Sequence, residues 1–442
     1  MKDLTKGNPS ALILSFAFPI FCGSLLQITY NVVDTRIVGT YLGEDALAAV
    51  GATGTLSNLI LGFLIGLSNG FAIITAQRFG AKDHSGLKKS FAMSLLLGTA
   101  TALVVTAAGL LFLSPILRFL NVPETLHDLS GQYISIIIAG LITALLYNVL
   151  AATLRAMGNT VIPLIILAVS VTLNIGGDLF FVLVLKWGVG GAAASTVLSQ
   201  FLSVIVCAVY LWKKYEILHL GPEDFRDRDV DLVKKMVGSG LSMGFMSSLV
   251  NIGSLTLQTS INKLGEDIIL AHTAARKISE IYMLMFSVFG QTMATYCGQN
   301  LGAGKIGRIR KGIKLAVFYT CIWCTLAMLI SYTLGAQLVY LVTGSRREVV
   351  VLNATNYLKF DTLFYYVTAV ICIVRNALQG LGDHVTPLIS SFLEMAGKVV
   401  IAATLVPWFQ YTGVIVAEPI VWFIMVIPLI IQILRMPVLR KG

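Results

Sequence analysis

Long apolar runs, each closed by a short polar turn, occupy most of the chain between Ala11 and Leu434. A helix needs roughly 20 apolar residues to cross a bilayer core, and runs of that length recur from end to end. Read as helices they give about twelve spans, over 11–38, 50–76, 90–114, 130–155, 160–184 and 190–212, then 237–262, 268–296, 312–334, 353–377, 384–406 and 411–434. The longest strongly polar interruption is Lys213–Lys235, which holds Pro222 and the run PEDFRDRDVDLVKK. It reads as a cytoplasmic linker (213–236) between an N-terminal lobe of six helices (1–212) and a C-terminal lobe of six (237–442). The fold expected is an all-α polytopic membrane protein.

The lobes repeat. Leu42-Gly-Glu-Asp45 returns as Leu264-Gly-Glu-Asp267, a shift of 264 − 42 = 222. AQRFGA at 76–81 returns as GQNLGA at 298–303, again with 299 − 77 = 222. LRAMGNTVIPL at 154–164 returns as LQGLGDHVTPL at 378–388, with 387 − 163 = 224. An even number of helices per lobe makes the repeat parallel, about a pseudo-two-fold axis along the membrane normal. Transporters use such repeats, with sites near the repeat interface and alternating access by rocking.

Composition agrees with the pattern. Of 442 residues, 56% are hydrophobic and 12% charged, against about 25% charged in soluble domains; mean hydropathy is +0.83. The net charge of +10 reads as topology rather than nucleic-acid binding, because Lys and Arg gather in cytoplasmic loops. With the N-terminus inside, the inner loops and ends hold Lys2, Lys6, Arg78, Lys82, Lys88, Lys89, Arg155, the linker cations, Lys305, Arg308, Arg310, Lys311, Lys314, Arg375, Arg435, Arg440 and Lys441, whereas the outer loops hold only Arg118, Lys186, Lys263, Arg346 and Arg347. A multi-pass protein of the cell membrane with both termini cytoplasmic is expected. MKDLTKGNPS and the long first run do not resemble a cleavable signal peptide. The six cysteines all fall in apolar segments, and Cys321-x-x-Cys324 reads as apolar filler in a helix rather than a redox motif.

Candidate chemistry concentrates on the first helix. Within Ser15–Gly39, Gln27, Asn31 and Asp34 share one face at i, i+4 and i+7, and Pro19 removes a backbone hydrogen bond and offers a place to bend. An intramembrane carboxylate costs ~2.5–3.5 kcal/mol on insertion scales, so it faces protein or a wet cavity and needs a partner. On the fifth helix Asn174 and Asp178 share a face, with Gly176 and Gly177 beside them allowing close approach. Asp34 and Asp178 lie at similar depths, and two neighbouring carboxylates either share a proton or hold a cation. Asn174, Asn31 and Thr196 add oxygen ligands of the kind a hard cation such as Na⁺ uses. The repeat is broken here, since 34 + 222 = 256 is Thr256.

In the second lobe, Arg276 with Glu280 and Glu394 with Lys398 read as neutralised i, i+4 pairs. Asp361 is a candidate for a substrate cavity, together with Gln27, Tyr30, Asn31, Tyr133, Asn148 and Met283. Met243, Met246, Met285, Phe286 and Tyr282 can repack around varied apolar ligands, although ordinary packing explains most of them. AQRFGAKD and GQNLGAGK lack phosphate-loop spacing and read as helix ends with Gly80 and Gly302 as caps. No ATP coupling and no cofactor are expected beyond a coupling ion. His84, His127, His219, His272 and His384 make no metal-ligand spacing, so an enzyme is not expected. A lipid or lipid-linked sugar flippase is the alternative within transport; it would want cavity cations, for which only Arg36, Arg276 and Lys398 offer themselves.

Together, NVVDTRIVGTYLGEDALAAVG at 31–51, LRAMGNTVIPL, GVGGAAASTVLSQ at 188–200, CGQNLGAG at 297–304 and LQGLGDHVTPL resemble the multidrug and toxic compound extrusion (MATE) family over nearly the whole chain. The resemblance implies two six-helix lobes in a V around a central cavity. It also implies antiport of small organic, often cationic or amphipathic, compounds against Na⁺ or H⁺, by a chain expected to be a monomer in the lipid bilayer. Asp34, Asn174, Asp178 and Thr196 match the cation site of one branch, with Na⁺ or H⁺ at Asp34 and Asp178, and Pro19 matches its bending proline. Another branch uses acids on the seventh and tenth helices. Here the seventh, MGFMSSLVNIGSLTLQTSINKLG, has none, and Asp361 alone stands on the tenth.

Overall fold

A computed structural model describes residues 3–120, 122–226 and 229–440. Lys2, Lys441 and positions 227–228 of the expected linker lie outside the described residues. The chain is helical throughout: α1 Pro9–Leu42, α2 Glu44–Gly80, α3 His84–Leu111, α4 Leu113–Phe119, α5 His127–Ala139, α6 Leu141–Ala156, α7 Val161–Leu179, α8 Gly188–Lys214, α9 Pro222–Arg226, α10 Val230–Ile261, α11 Glu266–Gly302, α12 Ile306–Thr343, α13 Glu348–Leu363, α14 Tyr365–Gly380, α15 Val385–Phe409, α16 Tyr411–Arg435 and α17 Pro437–Arg440.

Among the described residues, nine helices are long and apolar enough to cross a membrane. Two bent pairs raise this to 11: α5 with α6, at 43°, and α13 with α14, at 53°. The remaining expected span corresponds to α11, whose 37 residues are long enough but include Arg276, Lys277 and Glu280. At the first bend a Cβ on Gly140 would meet Val197 Cγ2 at 2.3 Å, so α8 can approach only because that position is glycine.

The sequence repeat has a backbone cause. Gly43 (φ 88°) and Gly265 (φ 99°) turn the chain into α2 and α11 through a conformation that L side chains rarely adopt. Glu44, Asp45, Glu266 and Asp267 then fill the first turns, where the helix dipole favours acids. The caps differ from expectation. Gly80 and Gly302 are the last helical residues, and the left-handed residues come two positions later, at Lys82 (φ 56°) and Gly304 (φ 68°). Both helices run through their glycines and close with backbone bonds such as Ala81 N to Gln77 O and Ala303 N to Gln299 O, each 3.0 Å.

The chain forms two compact units. Unit 1 gathers Phe18–Gly244, and unit 2 gathers Leu4–Ala17 with residues from 245 onward. In unit 1, Leu64, Leu67, Phe71, Ile134, Ile138 and Leu145 build the main core, and Leu232 and Met236 from the start of α10 join it. The stretch expected as a linker folds onto this unit: Leu218 is buried against Leu87 and Leu211, and Lys88 pairs with Asp224 at 3.0 Å. In unit 2 the N-terminal segment is fastened through its backbone, with Leu4 N donating to Gln299 Oε1 (3.0 Å), and Lys305 Nζ and Arg308 Nη1 donating to the Thr5 and Gly7 carbonyls (2.7 and 2.8 Å).

Candidate cation site and polar cavity of unit 1

The two acids singled out in the first lobe meet. Asp34 on α1 is half-buried, Asp178 on α7 is fully buried, and their carboxyls lie within hydrogen-bonding reach of each other. α7 continues past Asp178 into a wider π-type turn, Phe180–Val184, a feature frequent near functional sites. Close packing of α7 on α8 fixes the floor of the site. A Cβ on Gly177 would sit 2.5 Å from Ser195 Oγ, whereas Gly176 has open space around it, so only one of the two glycines is needed for the approach.

Asn174 is 2% exposed and sits between Asp178 and α8. Turned to suit its surroundings, its amide donates to Asp178 Oδ2 at 3.1 Å, while its oxygen accepts from the Thr196 N–H at 3.1 Å and lies 3.2 Å from Ser195 Oγ. Ser195 Oγ also reaches the Asn174 carbonyl at 2.9 Å. Tyr30 OH is 3.4 Å from Thr196 Oγ1. The Tyr30 and Tyr133 phenols are close enough to feel the charge of both acids. Among the described residues neither acid has an Arg or Lys partner, so no side-chain cation neutralises the pair. Such oxygen-rich surroundings accept a proton or a hard cation.

Next to the acids lies a cavity of about 370 Å³, which Asn174 and Thr196 help to line. Gln27, Tyr30, Asn31 and Asn148 line it as expected, but Tyr133 does not. Sequence reasoning missed Asn58, Tyr147, Ser170, Ser199 and Gln200, which line it as well. Their signal was present, as isolated polar residues inside apolar runs, but spacing within one helix does not say which faces converge. The lining contains no charged side chain.

Met283 and Asp361 belong to unit 2 and are not among the residues that line this cavity. Asp361 is 1% exposed, and neither of its oxygens has a hydrogen-bond partner of good geometry among the described residues; Tyr365 and Arg276 are in its electrostatic neighbourhood. Of the two expected ion pairs there, Lys398–Glu394 forms at 3.0 Å. Arg276 does not pair with Glu280, which is exposed; it pairs with Glu418 of α16 at 3.6 Å. Glu418 also binds Lys398 at 3.3 Å, and Arg375 reaches Glu394 at 3.8 Å, which completes a buried ion ladder. Arg276 and Glu280 share a face of α11, but the guanidinium turns to the buried Glu418 of α16 and leaves Glu280 exposed.

The MatE family model matches twice, over residues 19–180 and 243–404, one copy per sequence repeat. The probable multidrug resistance protein YpnP of Bacillus subtilis (strain 168) is 26% identical over 392 residues, covering 89% of this chain and 87% of that protein. The multidrug export protein MepA of Staphylococcus aureus (strain N315) is 22% identical over 407 residues, covering 91% and 88%. A multidrug resistance MATE family transporter of the MOP superfamily, solved in an outward-facing conformation, shares the fold with a TM-score of 0.90 at 22% identity, covering 100% of this chain and 98% of that one. With both repeats matched by one family model and the fold shared end to end, the chain belongs to the MatE family, the MATE transporters.

Proposed function

We propose that this protein is a secondary antiporter of the cell membrane that exports small organic compounds in exchange for a cation taken up at Asp34 and Asp178. The similarity to the probable multidrug resistance protein YpnP and the multidrug export protein MepA supports the export of organic compounds. The observation that carries the coupling is the contact between two carboxyls on different helices with no Arg or Lys beside them. Such a pair binds a cation more tightly when α1 and α7 are close than when they are apart, and that differential affinity is what drives a conformational equilibrium. Carboxyls in direct contact suit a shared proton, whereas Na⁺ would part them, so H⁺ is the first coupling ion to test. Pro19, buried inside α1, gives that helix its place to yield. Substrate would occupy the cavity lined by Gln27, Asn31 and Asn148 and leave as the cation enters. The Lys and Arg distribution supports cytoplasmic termini, and no step calls for ATP. A lipid-linked pyrophosphate would want cationic walls, so the flippase alternative gains no support from the uncharged lining of this cavity.

The test is efflux from proteoliposomes with H⁺ and Na⁺ gradients imposed separately. Efflux driven by one gradient is expected. Efflux indifferent to both overturns the proposal.

A further inference from the structure

Unit 2 holds a second concavity, larger than the first and different in chemistry. It is a groove of about 650 Å³ between α12 and α13, opening at the turn that joins them. Two cations line it. Arg346, at the mouth, lies over the Tyr340 ring at 4.9 Å, and Lys359, deeper, lies over the Tyr332 ring at 5.7 Å. The two tyrosines are 340 − 332 = 8 residues apart, so they stand on one face of α12. Among the described residues neither cation has a carboxylate partner. Glu348 is the one acid in the lining, which leaves a net charge of 2 − 1 = +1. Thr355 also lines the groove, and its buried hydroxyl has no hydrogen-bond partner.

Depth gives the arrangement its meaning. Lys359 lies 359 − 348 = 11 residues along α13, about 17 Å at 1.5 Å per residue. That is comparable to the ~15 Å hydrocarbon thickness of one leaflet plus a margin of headgroup. Its ammonium rests at that level over Tyr332; a flexible lysine stem lets such an ammonium turn toward the interface, and without an acid there it needs an anion from elsewhere. The fold itself does not require a cation at this place. Counting from the bends at Gly140 and Phe364, the repeat shift is 224, and 359 − 224 = 135 is Ser135.

We propose that this groove is a binding site for an anionic phospholipid. Its phosphodiester sits at the mouth against Arg346, with the Lys359 stem turned up from Tyr332 to meet it, its uncharged polar headgroup lies among Asn356 and Gln337, and its acyl chains leave along the apolar walls. A zwitterionic lipid fits less well, because its own cation would face Arg346. Before the lipid arrives Arg346 rests over Tyr340 and Lys359 over Tyr332, and the bound phosphate supplies the charge that draws the Lys359 ammonium away from its ring.

The test uses the full-length, delipidated protein in detergent, titrated with phosphatidylglycerol, with phosphatidylcholine and with glycerol phosphate, and read by native mass spectrometry and by melting temperature. Phosphatidylglycerol is expected to bind about fivefold more tightly than phosphatidylcholine. Lys359→Gln abolishes that preference, Lys359→Arg restores it, and glycerol phosphate alone does not compete. Should Lys359→Gln not fold, Arg346→Gln at the mouth gives the same reading, with a partial loss. Equal binding of the two lipids by the wild type, or an undiminished preference in both glutamine variants, overturns the proposal. Full competition by glycerol phosphate overturns the lipid as the source of the anion.

Discussion

The α7–α8 pair of unit 1 and the α15–α16 pair of unit 2 occupy equivalent places in the repeat but solve opposite problems. Counted with the shift of 224, Asn174 corresponds to Lys398 (398 − 174 = 224) and Asp178 to Ala402 (402 − 178 = 224). In unit 1, Asn174 bridges Asp178 to Ser195 and Thr196, and among the described residues the acid pair has no Arg or Lys partner. In unit 2, Lys398 stands at Asn174's place and binds Glu394 and Glu418 at 3.0 and 3.3 Å. The ammonium of Lys398 supplies from within the chain what, on the proposed mechanism, unit 1 takes from solution. Unit 2 thereby neutralises its own acids, while unit 1 keeps the acid pair that the proposed mechanism uses for exchange. The two lobes part at several repeat positions at once: Asn174 against Lys398, Asp178 against Ala402 and Asp34 against Thr256.

Several substitutions would break or sharpen this contrast. The largest effect is expected from Asp178→Asn, which should reduce gradient-driven efflux to the background of empty vesicles while the protein still elutes as a folded species. Lys398→Ala leaves two buried carboxylates without their shared cation and should cost ~3–5 kcal/mol, read as a fall in melting temperature in detergent. The double change Lys398→Met with Glu418→Met removes charge from both sides and should recover much of that loss. Gly177→Ala drives a Cβ to 2.5 Å from Ser195 Oγ and should cost ~1–3 kcal/mol while weakening cation binding more than substrate binding. The smallest effect belongs to Asp83, the N-cap of α3, which lies outside the spans. Its carboxylate accepts from the Gly86 N–H at 2.8 Å and from Arg78 Nη1 at 2.8 Å, and these bonds hold it below the usual carboxylate range. Its folded-state affinity for protons is depressed, so its contribution is fully present above the ordinary carboxylate value of about 4 and is lost as pH falls below it. Asp83→Ala should cost ~1 kcal/mol at neutral pH and make stability less sensitive to acid.

Much of this was legible in the sequence because a bilayer allows few solutions. Runs of spanning length gave the helices, and the 222–224 shift gave the repeat. The depth of Asp34 and Asp178 on helices running the same way brought the two acids together. What stayed hidden depended on rotation and on distant partners. Glu418 follows Glu280 by more than a hundred positions, and nothing local to Arg276 favours it. The carboxamides of Asn58 and Gln200 each look incidental on their own helix and become part of a cavity wall only when the helices pack. Gly80 and Gly302 looked like caps because glycine usually ends a helix in left-handed conformation; here Lys82 and Gly304 adopt it instead.

On the proposed mechanism, unit 1 exchanges its cation and unit 2 does not. The most direct test of this is efflux under an imposed proton gradient, measured side by side for Asp34→Asn and for the Lys398→Met/Glu418→Met pair, with Na⁺ substituted for H⁺ in a parallel series. Loss of gradient dependence in the first and its retention in the second is the result this account predicts. Retained coupling in Asp34→Asn, with coupling lost in the unit 2 pair, would contradict it.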